Sequence, residues 1–369
     1  MESAGGAARW KATSDGKSLR TDGTAPGETW LCYRHIVPGY DDWASLMGIL
    51  PPRPGPPEAQ LISDFVAYDT DQRWYAGPPG DRRAVHAFPP PLPGGLGQPP
   101  SPSALGLNWV GDLVVEFDLT LARGKGQILV DLVKGGHRFL CQLDSGDGTA
   151  ELAILGGRGI RPKSAAGILG SGKHQVRLAN VDQQLVLWID GRVVKFDPPA
   201  TYDAPDIDTV LPNQEDLLPV RIGSRGAAAE VSHLRIFRDI YYVAVESRSE
   251  QEFSEMMTDF RPSDPDYPYT GASPSGVARF FSDPSRWGIF QRRRSVEFTL
   301  EKDQFFMLGD NSPESKDGRL WDGSQFYVNR DLLIGEALLI YWPHSWNRIP
   351  GTRIPFPFFP NFSRMGCIR

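Results

Sequence analysis

GKHQVRLANVDQQLVLWIDGRVVKF, residues Gly172 to Phe196, alternates apolar and polar side chains on both sides of a short polar turn. Successive side chains of a strand point to opposite faces, so Val176, Leu178, Leu185 and Leu187 would share one face and enter an inter-sheet core. Asp190-Gly191 predicts a second tight hairpin, because an Asp-Gly pair suits the backbone of a two-residue turn. This reading makes the region β, and its consequences extend both ways along the chain.

The same texture runs from Leu105 to about Val243. DLVVEFDLTLA, GQILVDLVK, HRFLCQLD, AELAILG, HQVRLANV, QLVLWIDGRVVKF, LPVRIGS and EVSHLRIFRDIYYV are separated by Gly, Asp and Asn turns. Eight strands at this spacing predict an antiparallel sandwich. Upstream, residues 76 to 104 are dense in Pro and Gly and read as a linker or long surface connection. Residues 1 to about 75 mix turn signals with pieces such as TWLCYRHIVP, which read as strands in a loop-rich setting; His35 is taken as a strand residue. Downstream, SRSEQEFSEMMTDF (Ser247 to Phe260) predicts a helix, with Phe253, Met256, Met257 and Phe260 on one face. A Pro-rich stretch follows, and strands return in SVEFTLEKDQFFMLGDN.

Composition agrees with a mainly β protein. The 369 residues include 39 Gly and 33 Pro, and long helical-spacing runs of Ala, Glu, Lys and Leu are missing. That length is enough for two domains with cores of their own. The net charge of -6 argues against a nucleic-acid partner, which normally needs a basic face. Cys32, Cys141 and Cys367 stand far apart, and the six histidines form no HxxxH or HxH pair, so no metal site and no cofactor is expected. Cys141 reads as a buried core residue. LLIGEALLIYW is about half the length of a membrane span and contains Glu336, and the first residues lack the apolar core of a signal peptide. The chain alone therefore reads as soluble.

The Gly172 to Phe196 segment resembles the concanavalin A-like, laminin G-type jelly-roll family, in which a His-led strand precedes a polar turn and an L-x-x-W/Y-x-D-G strand. The likeness covers roughly Leu105 to Val243. It implies ligand sites in rim loops, and makes Asp144 and Asp147 in DSGDG, the loop GRGIRPKSAAG, and Trp188 as a stacking surface the candidates. Each also has a plain reading, since paired Asp are common in turns and a strand Trp is commonly packing.

A second stretch, GDNSPESKDGR (Gly309 to Arg319), is too rich in functional side chains for a turn alone. Ser315, Asp317 and Arg319 lie at alternate positions and on a strand would share a face. With its lead, Gln304-Phe305-Phe306-Met307-Leu308, this stretch resembles the last conserved box of the bacterial signal peptidase I family, usually GDNRxxSxDSR. The following YVNRDLLIGEALLIYW resembles the family's next motif. The resemblance implies a membrane-bound serine endopeptidase, largely β, at the outer face of the cytoplasmic membrane, acting on signal-peptide-bearing preproteins. Its chemistry is a Ser nucleophile with a desolvated Lys as base. By the same resemblance Ser315 orients that lysine, Asp317 and Arg319 form a supporting ion pair, and Gly309, Asp310 and Asn311 supply the backbone of the box.

Three departures stand out. Ser312 replaces the usual Arg, and Gly318 replaces the usual Ser. The nucleophile motif S-M-x-P-T, the lysine motif and the membrane anchors are missing, and none of the nine lysines substitutes for the base in a recognisable context. The expected organisation is a signal peptidase-like β domain (1–104 with the linker, and 244–369) carrying an inserted sandwich (105–243). The dyad and anchor would lie in an upstream segment or chain. The alternative is a non-catalytic carbohydrate- or protein-binding protein built on the sandwich.

Overall fold

In the computed structural model the alternating segments form two antiparallel sheets packed face to face. The structure describes residues 2–4, 10–37, 42, 45–51, 55, 57–66, 105–122, 124–155, 161–167, 169–202, 210–244, 259–260, 279–309, 317–321, 325–341, 346–349, 352, 354–362 and 365–367. Its strands begin with Glu2–Ala4 (β1), Lys11–Ala12 (β2), Ser18–Thr21 (β3), Glu28–Tyr33 (β4), Ser63–Val66 (β5), Leu105–Trp109 (β6), Leu113–Leu121 (β7), Gln127–Lys134 (β8) and His137–Asp144 (β9). They continue with Ala150–Leu155 (β10), Lys163–Ser164 (β11), Gly172–Val181 (β12), Gln184–Ile189 (β13), Arg192–Val193 (β14), Phe196–Asp197 (β15), Val220–Arg225 (β16) and Ala229–Arg238 (β17).

One sheet has the order β1-β4-β16-β8-β9-β10-β11-β15, the other β14-β13-β12-β7-β17-β3-β2. The period-two pattern decides what lies between them. Ile128, Val130 and Leu132 of β8 face Val115, Phe117 and Leu119 of β7 in one buried layer, joined by Val176, Leu178, Leu185, Leu187 and Cys141. Burial pushes the Cys141 thiol up to about 12, so it stays neutral as core packing. Asp190 and Gly191 both take positive φ, 52° and 74°, which closes β13 onto β14 in the register Ile189 to Arg192.

All eight strands expected between Leu105 and Val243 are present, but the sandwich does not start there. β4 lies between β1 and β16, paired Leu31 to Ile222, and β3 pairs β17, Leu19 to Val231. The assignment of residues 1–104 to a peptidase-like domain is corrected accordingly: the described strands before residue 34 are sandwich strands. β4 was legible as a strand, but not its place, because its partner in the sandwich, like that of β3, lies about 200 residues downstream. His35 falls just beyond β4, not within a strand, where its Nδ1 meets the Tyr33 hydroxyl at 3.0 Å and burial lowers its pKa. The expected helix Ser247 to Phe260 and the Pro-rich stretch 76–104 lie outside the described residues, apart from Asp259 and Phe260.

A second, aromatic core joins the sandwich to the chain that follows it. Leu61, just before β5, and Trp109, at the end of its antiparallel partner β6, pack with Phe260, Phe280, Trp287 and Phe290. Trp287 Nε1 donates to the Phe280 carbonyl at 2.9 Å, so its one polar atom is satisfied.

Two testable consequences follow from burial. A fragment of residues 1–243 should unfold cooperatively, whereas 105–243 should melt lower or aggregate, because losing Trp10 and Leu31 alone removes large core side chains worth about 2 to 5 kcal/mol each. Equal melting temperatures would show the N-terminal strands to be dispensable. The second concerns Asp131 and Asp216, whose carboxyls burial pushes up from 3.8 to about 6. A raised folded pKa gives stability that is complete below the unfolded value and lost as pH rises through about 6. Stability should therefore increase between pH 7 and pH 5, and Asp131→Asn should flatten the increase; an unchanged slope in chemical denaturation would refute the assignment.

Candidate functional site

The strand lead of the box is short: Gln304–Phe305 (β18) pairs with Val328–Asn329 (β19) in the register Phe305 to Val328. Phe306 then turns into an aromatic group, stacked on Phe298 at 4.7 Å between centroids, with Phe326 on its edge. This group fixes the lead against the return strand. Asp310, Asn311 and Ser315 lie outside the described residues, and the chain is described again from Asp317.

Asp317 and Arg319 do not share the face of a strand as expected. Asp317 is the N-cap of a 3-10 turn, Gly318–Leu320, and Arg319 sits inside that turn. The two side chains meet because the turn folds the guanidinium back over the cap: Nε donates to Asp317 Oδ1 at 3.0 Å and Nη2 to Oδ2 at 2.9 Å. This is a bidentate pair with 5% and 2% side-chain exposure. Asp317 also accepts from the Arg319 N–H at 3.1 Å and the Gly309 N–H at 3.1 Å. Burial alone would raise its pKa, but the Arg319 hydrogen bonds, the Gly309 N–H and the Arg319 charge together hold it below the usual 3.8.

Residues beyond the box complete this arrangement. Arg319 Nη1 donates to the Val243 carbonyl at 2.9 Å, and its guanidinium lies 4.7 Å from the centre of the Tyr242 ring. The Tyr242 hydroxyl donates to the Gly309 carbonyl at 2.7 Å. Just before it, Tyr241 donates its hydroxyl to buried Asp259, whose Oδ1 accepts from the Ala244 N–H at 2.7 Å. Burial holds Asp259 above the usual carboxylate range and Tyr241 above the usual phenol range. The stretch Ile240 to Ala244, leaving β17, thus forms one wall of the box. Its adjacent tyrosines, which break the strand alternation of EVSHLRIFRDIYYV, were the available signal.

Gly318, where the family has Ser, has no room for a side chain. A Cβ there would stand 2.7 Å from the Phe326 carbonyl oxygen and 3.1 Å from that of Met307. The Gly318 N–H meanwhile donates to Met307 O at 2.8 Å. The backbones have closed over the position. Past β19 the second motif forms a 3-10 turn, Arg330–Leu332, and then runs on with Leu332, Ile334, Leu338 and Tyr341 exposed.

Among the described lysines, Lys134 is half-buried and paired with Asp112, and the others are exposed. At the rim, Asp144 Oδ1 caps the Gly146 N–H at 2.7 Å and Asp147 Oδ1 caps Thr149 at 2.9 Å, both as turn acceptors. No cluster of His, Cys, Asp or Glu suited to a metal occurs among the described residues. Trp188 is half-buried beside Arg177, 5.9 Å from its ring centre. No helix among the described residues is long and apolar enough to cross a membrane.

Residues 277–342 match the family model described as Signal peptidase, peptidase S26. No curated protein matches the chain. Among solved structures, the carbohydrate-binding module CBM66 from Bacillus subtilis is similar over 62% of this chain and 89% of its own, at 10% identity and a TM-score of 0.30. Sheep galectin-11 in complex with glycerol is similar over 34% of this chain and 90% of its own, at 10% identity and a TM-score of 0.25. These TM-scores are too low to bear on fold or ligand. The chain carries a signal peptidase-like segment beside an antiparallel β-sandwich.

Two substitutions test the box. Arg319→Ala strips a buried carboxylate of its partner, which should lower stability by about 3 to 5 kcal/mol. Gly318→Ser should also lower the melting temperature, by collision with the Phe326 carbonyl. A wild-type melting curve for either variant would show that the closed backbone and the buried pair do not hold this segment.

Proposed function

We propose that the segment following the sandwich is the supporting part of a signal peptidase I-like Ser/Lys endopeptidase acting on signal-peptide-bearing preproteins. The observation that carries this reading is the desolvated Asp317–Arg319 pair, which anchors the end of the box within the segment matched by the family model. On this reading Ser315, two residues before the pair, presents its hydroxyl to the base lysine and orients the amine toward the nucleophile. Gly309, Asp310 and Asn311 shape the backbone that leads to it. The nucleophile and lysine come from a segment or partner chain bearing the family's other motifs, bound to the cytoplasmic membrane at its outer face. The exposed apolar run Leu332 to Tyr341 supports this reading, since a completed β domain would cover it.

The division of labour has a chemical basis. A lysine can act as base near neutral pH only when desolvation lowers its pKa, and a neutral amine needs a hydroxyl partner to fix its direction. An ion pair two residues away holds that hydroxyl in place without taking part in the proton transfer.

The test is cleavage of a synthetic preprotein peptide by this chain alone and by the chain combined with the dyad-bearing segment. The chain alone should be inactive, and the combination active. In the combination, Ser315→Ala should cost one orienting hydrogen bond of about 1 to 3 kcal/mol, a roughly five- to 150-fold fall in kcat with KM little changed. Turnover by the chain alone, abolished by mutating one of its own serines, would overturn the reading, as would an Ser315→Ala variant that is kinetically silent.

A further inference from the structure

Tyr242 meets both ends of the box. Its hydroxyl donates to the Gly309 carbonyl at 2.7 Å, and its ring lies 4.7 Å from the Arg319 guanidinium. The contacts between those ends close into a circuit: the Gly309 N–H donates to Asp317 Oδ2 at 3.1 Å, Arg319 grips the same carboxylate, and the guanidinium returns to Tyr242. Ser315 lies in the chain between Gly309 and Asp317. One side chain outside the box therefore bears on the residue from which that stretch departs and, through Arg319, on the residue to which it returns.

Tyr242 is a fixed point because its own backbone is anchored. The Asp239 N–H donates to the Asp112 carbonyl at 3.0 Å, at the entry to β7. Asp64, buried on β5, accepts from Arg238 Nη2 at 2.9 Å and from the Tyr241 N–H at 3.3 Å. The Tyr241 hydroxyl donates to Asp259, whose neighbour Phe260 is fully buried in the aromatic core. Val243 packs against Leu320, the last residue of the 3-10 turn. From Arg238 to Ala244 the chain is thus tied to β7, to β5 and to the aromatic core. A hydroxyl carried on such a stretch has little freedom, since a tyrosine has few side-chain torsions to spend.

We propose that Tyr242 is a positioning residue through which the sandwich sets the geometry of the box, its hydroxyl fixing the Gly309 peptide and its ring fixing the Arg319–Asp317 pair. The kinetic part of this proposal rests on the peptidase reading, in which Ser315 directs the base lysine. Such a contact tolerates little error, because a misplacement of about 1 Å in a supporting group can cost as much as a hundredfold in rate. Tyr242 itself takes no part in the proton transfer. On this account the sandwich is a working part of the peptidase segment and not an attached module.

Two variants separate the contacts: Tyr242→Phe removes the hydroxyl and keeps the ring over Arg319, and Tyr242→Leu removes both. In the full chain, hydrogen exchange read by mass spectrometry should show residues 309–319 exchanging about three- to tenfold faster in Tyr242→Phe, and faster again in Tyr242→Leu, with the sandwich strands unchanged. Combined with the dyad-bearing segment, Tyr242→Phe should lower kcat by about three- to tenfold, the worth of one neutral hydrogen bond, and leave KM unchanged. Wild-type exchange at 309–319 in both variants would overturn the proposal whatever the cleavage assay gives. Faster exchange with kcat unchanged, where Ser315→Ala still lowers kcat, would reduce Tyr242 to a structural contact; that too overturns the proposal and leaves the peptidase reading intact. A wild-type combination that cleaves nothing counts against the peptidase reading, and the exchange result alone then decides whether Tyr242 holds the box.

Discussion

The sandwich is hung on one apolar layer, the side chains that β7 and β8 turn toward each other from the centres of the two sheets. Because the strand period is two, committing Val115, Phe117 and Leu119 to that layer forces Glu116 and Asp118 outward, and committing Ile128, Val130 and Leu132 forces Asp131 outward. The outward residues are then fixed by position, and they do not lie idle. Glu116 pairs with Arg177, Asp118 with Lys173, and Asp131 with Arg138. The polar surface of the sandwich is thus a consequence of its core.

The sandwich was legible wherever a strand was long enough to show its period. Leu113–Leu121 holds four full alternations, and a Gly172 to Phe196 pattern with an Asp-Gly turn has few other folds available. Lys11–Ala12 and Ser18–Thr21 offer two and four residues, too few for a period, and they join the sheet only through β17 far downstream. Long-range pairing of short strands leaves no local trace. The same limit hid the aromatic core, since Leu61, Trp109 and Phe290 are each ordinary until the fold brings them together.

The box was legible by residue type and misread in geometry. The sequence places Ser315, Asp317 and Arg319 on one face of a strand, because that is what i and i+2 imply for extended chain. The N-cap preference of Asp decides otherwise: with its carboxylate accepting from the Arg319 N–H, the backbone turns, and the guanidinium comes back onto the same carboxylate. Asp followed by Gly carries this turn signal, and Gly318 departs from the family's usual Ser. Choosing between strand and turn required knowing that Met307 and Phe326 place carbonyls against Gly318.

A buried ion pair is a poor source of stability, because two charges must give up water to form it. Its value at Asp317–Arg319 is better understood as direction. The guanidinium has five N–H donors in a rigid fork; the carboxylate takes two, the Val243 carbonyl takes a third, and the Tyr242 ring covers one face. Turning the fork in its plane would break three bonds, and lifting it would uncover the ring. Tyr242 in turn holds the Gly309 carbonyl at the other end of the box. Gly309 and Arg319 are therefore both held by Tyr242 and Val243, four and five residues after the last residue of β17. A strand that owes its place to the inter-sheet core ends by holding the box, so the sandwich is the scaffold on which that segment is set.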